Sequence, residues 1–133
     1  MSAKLLIKVG ILVLSMQLLG CTRSEVSFSS DVQPIFEKHC IECHGSSGEG
    51  ITASGFSVRD YDGVMQGTSF GKVVVPGSSM SSTLYLVVAQ KTAPEIHMPP
   101  QHSEAWAKGR GSPLSEDDVA IIADWIDQGA KNN

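Results

Sequence analysis

The stretch HCIECHG, residues 39–45, constrains this chain more than any other part of its 133 residues. Cys40 and Cys43 stand three apart, so on a helix both thiols leave the same face. His44 follows directly. Two thiols at this spacing that leave one face fit a helix there. Its functional face must also look at something the rest of the chain encloses.

Only one other cysteine, Cys21, occurs in the chain, so two of three are concentrated here. The order C-x-x-C-H is the attachment signal of c-type haem. Two thiols form thioether bonds to the vinyl groups on one edge of the macrocycle, and the adjacent histidine turns its Nε2 toward the iron. Other chemistries share these letters. A thioredoxin-like C-x-x-C needs a βαβ setting, which the sequence lacks. A disulfide between i and i+3 strains a helix. Zinc is an alternative through Cys40, Cys43 and two of His44, His97 and His102, although no second close ligand pair at finger spacing follows.

The residues before the motif support a helix. In SSDVQPIFEKHCIECH, Ser30 with Gln33 fits a capping box, and Pro34 is tolerated near the first turn. Val32, Ile35, Phe36, His39, Cys40 and Cys43 follow one helical stripe, which places both cysteines toward the core. His39 is expected to pack or cap, not to ligate. Residues 45–55, rich in Gly and Ser, are expected to form a loop. RDYDGVMQG predicts a short helix capped by Asp60, and GKVVVPG predicts an extended segment closing in a Pro-Gly turn. SSMSSTLYLVVAQ is expected to be helical behind a serine cap. The last element is the clearest. Ser115 and Asp118 resemble a capping box, the acidic first turn suits the helix dipole, and Gly129 suits a left-handed C-terminus. Its wide apolar arc from Val119 to Ile126 is expected to pack against the first helix.

A haem iron that carries electrons wants a sixth ligand, and HMPP offers one. Pro99 restricts the backbone of Met98, and the Pro99–Pro100 pair stiffens the strap that presents it. Met65 and Met80 have no such strap and are expected to be packing residues. His97 and His102 are rival ligands, either of which would lower the potential relative to a His/Met pair. If none of the three reaches the iron, the chain is instead a haem enzyme subunit or gas sensor with an open sixth position. Arg59, Lys72, Lys108 and Arg110 are candidate partners for a haem propionate.

The N-terminus belongs to a different kind of physics. Lys4 and Lys8 precede an apolar run from Val9 to Leu19, followed by Leu18-Leu19-Gly20-Cys21. These are the parts of a secretory signal, and the run is well short of the roughly 20 residues a membrane span needs. LLGC resembles the lipobox of bacterial lipoproteins, which implies cleavage after residue 20 and a lipidated Cys21. Acyl chains, at about 0.8 kcal/mol per buried CH2, give stable anchoring when several are present. Thr22, in place of the aspartate associated with inner-membrane retention, points to the outer membrane. Loss of Lys4 and Lys8 takes the formal charge from −4 to −6. That sign argues against nucleic-acid binding. The expected organisation is a signal peptide over 1–20, a lipidated tether over 21–30 and one domain over 31–133.

Taken together, DVQPIFEKHCIECHG, VVVPGSSMSSTLY, HMPP and LSEDDVAIIADWIDQGA resemble the small class I c-type cytochrome domains of planctomycetes and other environmental bacteria. The resemblance spans roughly residues 28–130. It implies an all-α class I cytochrome c fold wrapped round one covalent haem c. By position it implies Cys40 and Cys43 as thioether residues, His44 as proximal and Met98 as distal iron ligand, and redox proteins as partners. Residues 101–112 are longer than that pattern leads one to expect. The function so implied is single-electron transfer outside the cytoplasmic membrane, without catalysis.

Overall fold

The computed structural model describes residues 24–101 and 111–133. The expected signal peptide, Cys21, His102, Lys108 and Arg110 lie outside the described residues. What is described is helical. The order is a π-helical turn Phe28–Val32, then α1 Gln33–His39, α2 Ile41–His44, α3 Glu49–Ser54, α4 Tyr61–Gln66, α5 Thr83–Val88 and α6 Glu116–Asp127. Short 3₁₀ turns, Ser79–Ser81 and Pro94–Ile96, flank α5. Among the described residues the only β pairing is a single antiparallel bridge between Thr68 and Gly71.

The start of the domain corrects two expectations. The cap is Ser27, not Ser30: its side chain accepts from the Ser30 amide at 3.2 Å. The chain therefore enters the helical segment through a π turn, with Pro34 near the first turn of α1. The tether expected over 21–30 is also too long. Phe28 is only 4% exposed. Its ring meets Tyr61 edge-on at 5.3 Å and Trp125 at 5.4 Å. Ser27 and Ser29 donate from their hydroxyls to the Asn133 carbonyl, so the two ends of the domain are tied together. A polar stretch with one aromatic residue has no visible period, but that one residue carries the burial.

α6 forms as its sequence predicts. The Ser115 hydroxyl accepts from the Asp118 amide at 3.1 Å, and Ile122, Trp125 and Ile126 are buried. At the other end the Ala130 amide donates to the Trp125 carbonyl at 2.8 Å and Gly129 donates to Ile126 at 2.9 Å. This is a Schellman closure, with Gly129 at φ +103° where a side chain would be strained. The first helical segment does receive α6, but mainly through the Phe28–Val32 turn. Tyr61 Oη donates to the Ala130 carbonyl and Trp125 Nε1 to the Lys131 carbonyl, both at 2.9 Å, which secures the tail.

α4 is capped by Asp60, whose carboxylate accepts from the Gly63 amide at 2.8 Å. Ser82 stands just before α5, at its N-cap, but the hydroxyl of Ser82 does not cap it. Instead it accepts from the Val75 amide at 2.8 Å and donates to the Ser78 carbonyl at 2.9 Å, pinning the extended segment before the helix. The loop expected over 45–55 is in part α3, closed by Gly55. Its apolar content is too low for a visible stripe, and only Gly48 and Gly55 at its ends mark it.

Candidate haem-attachment site

The helix carrying the cysteines is not continuous. Cys40 leaves helical geometry at φ −125°, ψ −30° and separates α1 from α2. The break keeps its hydrogen bonds. The Cys40 amide donates to Phe36 at 2.9 Å, and the Cys40 carbonyl accepts from both Cys43 at 3.1 Å and His44 at 2.8 Å. The expected single stripe is thereby divided. Val32, Ile35 and Phe36 are fully buried, whereas His39, Cys40, Cys43 and His44 are half-buried at the edge of a cavity.

That cavity has a volume of about 520 Å³ and is bordered by Cys40, Cys43, His44 and Met98 together. A second chamber of about 220 Å³ also touches Cys40, His44 and Met98 and runs into the core against Phe36, Phe56 and Leu84. Cofactor sites span roughly 300–1,000 Å³, so the larger cavity falls within that range. The four residues singled out from the sequence thus meet across more than fifty residues of chain. Cys43 and His44 come from α2, Cys40 from its N-cap, and Met98 from the segment after α5.

Two electrostatic features bear on the chemistry. Burial, with Cys43 as a lesser cause, pushes the Cys40 thiol up to about 12. A thiol held protonated is a poor nucleophile and a poor redox group, which weighs against a thioredoxin-like role. The His44 imidazole is lowered from its ordinary 6.5, because burial disfavours its charged form; a bond to the Phe56 carbonyl opposes this. His44 Nδ1 lies 3.1 Å from that carbonyl oxygen. A carbonyl can only accept, so the proton sits on Nδ1 and Nε2 keeps its lone pair. This is the arrangement that orients a metal-ligating histidine.

Met98 is half-buried and packs against the core. Its amide donates to the Val87 carbonyl at 3.1 Å, anchoring the strap to the end of α5, and the Met98–Pro99 bond is cis. The rival His97 is engaged elsewhere: its Nε2 lies 3.0 Å from the Thr92 carbonyl, and it does not border the cavity. Among the described residues no group of three or more His, Cys, Asp or Glu side chains is arranged to hold a metal ion. Lys72, a candidate propionate partner, instead donates to the Met65 carbonyl at 2.6 Å. Arg59 is exposed and does not border the cavity.

The sequence offered no sign of one other group at the cavity. His39 Nε2 is 3.6 Å from Asp118 Oδ2, too long for a hydrogen bond, and has no hydrogen-bond partner among the described residues. Gln101 Nε2, just beyond the strap but not lining the cavity, is also buried and has no hydrogen-bond partner among the described residues. Buried donors without acceptors are costly, and a cofactor with carboxylate groups supplies acceptors. Two thiols, a neutral imidazole with a free Nε2, a thioether, an apolar inner chamber and a buried, unpartnered His39 nitrogen at the rim fit haem c.

The helical fold is consistent with an all-α cytochrome c-like domain. Residues 40–102 match the family described as Planctomycete cytochrome C, which supports a cytochrome c-type domain. Such a domain implies haem c binding and electron transfer rather than catalysis. No curated protein and no solved structure gives a significant match.

Proposed function

We propose that this protein is a monohaem c-type cytochrome that carries single electrons between redox proteins outside the cytoplasmic membrane. His44 is the proximal ligand, Met98 the distal ligand, and Cys40 and Cys43 the covalent attachment points. The observation that carries this reading is the meeting of these four side chains on one cavity of about 520 Å³. Haem, when bound, supplies an iron centre that gains and loses one electron at a time.

The chain's own residues supply the rest. His44 offers a neutral Nε2 because its other nitrogen is committed to the Phe56 carbonyl. Met98 offers a neutral thioether from a strap tied to Val87 and stiffened by two prolines. A neutral sulfur ligand raises the potential relative to a second histidine. Phe36, Phe56 and Leu84 keep the inner chamber apolar, which limits solvent rearrangement around the site. With His44 and Met98 both offered to the iron, the bound haem would serve electron transfer and not substrate binding, and the protein is not an enzyme. The leader over 1–20 and a lipidated Cys21 would hold it in the bacterial envelope facing the periplasm, on the outer membrane by the residue after the cysteine.

The distal assignment has its own test. The oxidised native protein should show the far-red methionine–iron charge-transfer band. Met98→Ala should lose that band and lower the reduction potential while keeping the covalent haem. A band that persists in Met98→Ala would remove Met98 from the site.

A further inference from the structure

His44 is held from two directions. On one side are the Phe56 carbonyl at 3.1 Å from Nδ1 and the Phe56 ring, 5.3 Å away and inclined at 68°. On the other is Gly50, in the first turn of α3. A Cβ placed on Gly50 would stand 2.6 Å from His44 Cε1, 2.7 Å from Nε2 and 2.9 Å from Nδ1. A point off the ring edge, in its plane, would be much nearer Cε1 than either nitrogen. Three nearly equal distances instead put that point over the ring face. Gly50 therefore stands over one face of the imidazole with no side chain between them, and the in-plane direction from Nε2 is left open.

We propose that Gly50 is a positioning residue that fixes the rotation of the proximal imidazole, so that α3 acts as a rest for the ring. The proposal rests on His44 being the proximal ligand. Helix propensity alone favours alanine over glycine at this position, so a role confined to α3 predicts that alanine is harmless. A methyl group there meets the ring at under 3 Å. Without haem the imidazole can swing aside. Once Nε2 is committed to iron and Nδ1 to Phe56, it has nowhere to go without weakening one of those bonds. Groups that orient a metal-bound histidine tune its basicity and the metal it holds.

The test uses the full-length haem-loaded protein with Gly50→Ala, Gly50→Val and, as a control in the same helix, Thr52→Ala. Two signals are read: the low-spin g-values of the oxidised protein by electron paramagnetic resonance, and the oxidised-to-reduced ratio at a fixed applied potential. Gly50→Ala should move the g-values and change the ratio by roughly tenfold. Gly50→Val should move both further, and Thr52→Ala should move neither. Unchanged signals in both Gly50 variants, or equal changes in Thr52→Ala, overturn the proposal. His44→Ala separates this from the underlying reading: it should lose the low-spin signal, and if that signal survives, the assignment of His44 fails whatever Gly50 does.

Discussion

Cys40→Ala/Cys43→Ala protein will carry no covalent haem and will lose much of its helical signal in the far ultraviolet. The reason is the shape of the core. Of the buried core, Phe36, Phe56, Val58, Leu84 and Val88 turn toward the inner chamber, and α2 and its N-cap Cys40 stand at the rim of the larger cavity. Without the haem the inner chamber, about 220 Å³, leaves Phe36, Phe56 and Leu84 without packing partners on one side. α2 and α3 are especially dependent, since neither contains a fully buried residue and both lie at the cavity edge. Circular dichroism of the double variant checks this. A spectrum equal to that of the native protein would mean that the helices stand without the cofactor.

Phe28→Ala will destabilise the haem-loaded protein by about 3–5 kcal/mol, the usual range for a large aromatic removed from a core. Phe28 is the hub of an aromatic cluster with Phe36, Tyr61 and Trp125. Through it the N-terminal turn is joined to α6, and the hydrogen bonds of Ser27 and Ser29 to Asn133 close the same seam. Denaturant unfolding measures the loss. A change under about 1 kcal/mol would return residues 21–30 to the role of a tether. Ser29→Ala removes an exposed hydroxyl and should cost about 1 kcal/mol or less.

The difference between these two segments shows what the sequence makes legible. Cys40, Cys43 and His44 are readable because their chemistry needs a fixed local spacing, and α6 is readable because its cap, apolar arc and terminal glycine agree. Met98 is readable from its two prolines, although nothing in the sequence says which cavity it borders. Phe28 is not readable, because a single buried aromatic in a polar stretch has no period. α3 is hidden by its own glycines, and the break at Cys40 is hidden because the apolar spacing runs on across it. The contacts that orient His44 are the least visible of all. One is the Phe56 carbonyl, which every residue possesses, and the other is the absence of a side chain at Gly50.

The central claim is that the chain binds one haem through two thioether bonds. A pyridine haemochrome spectrum of the purified, exported, full-length protein tests it most directly. The account predicts the bands of a c-type haem with both vinyl groups saturated, at one haem per chain, and a haem that stays with the protein on extraction with acidified organic solvent. A preparation with no haemochrome, or one whose haem passes wholly into the solvent, would contradict it.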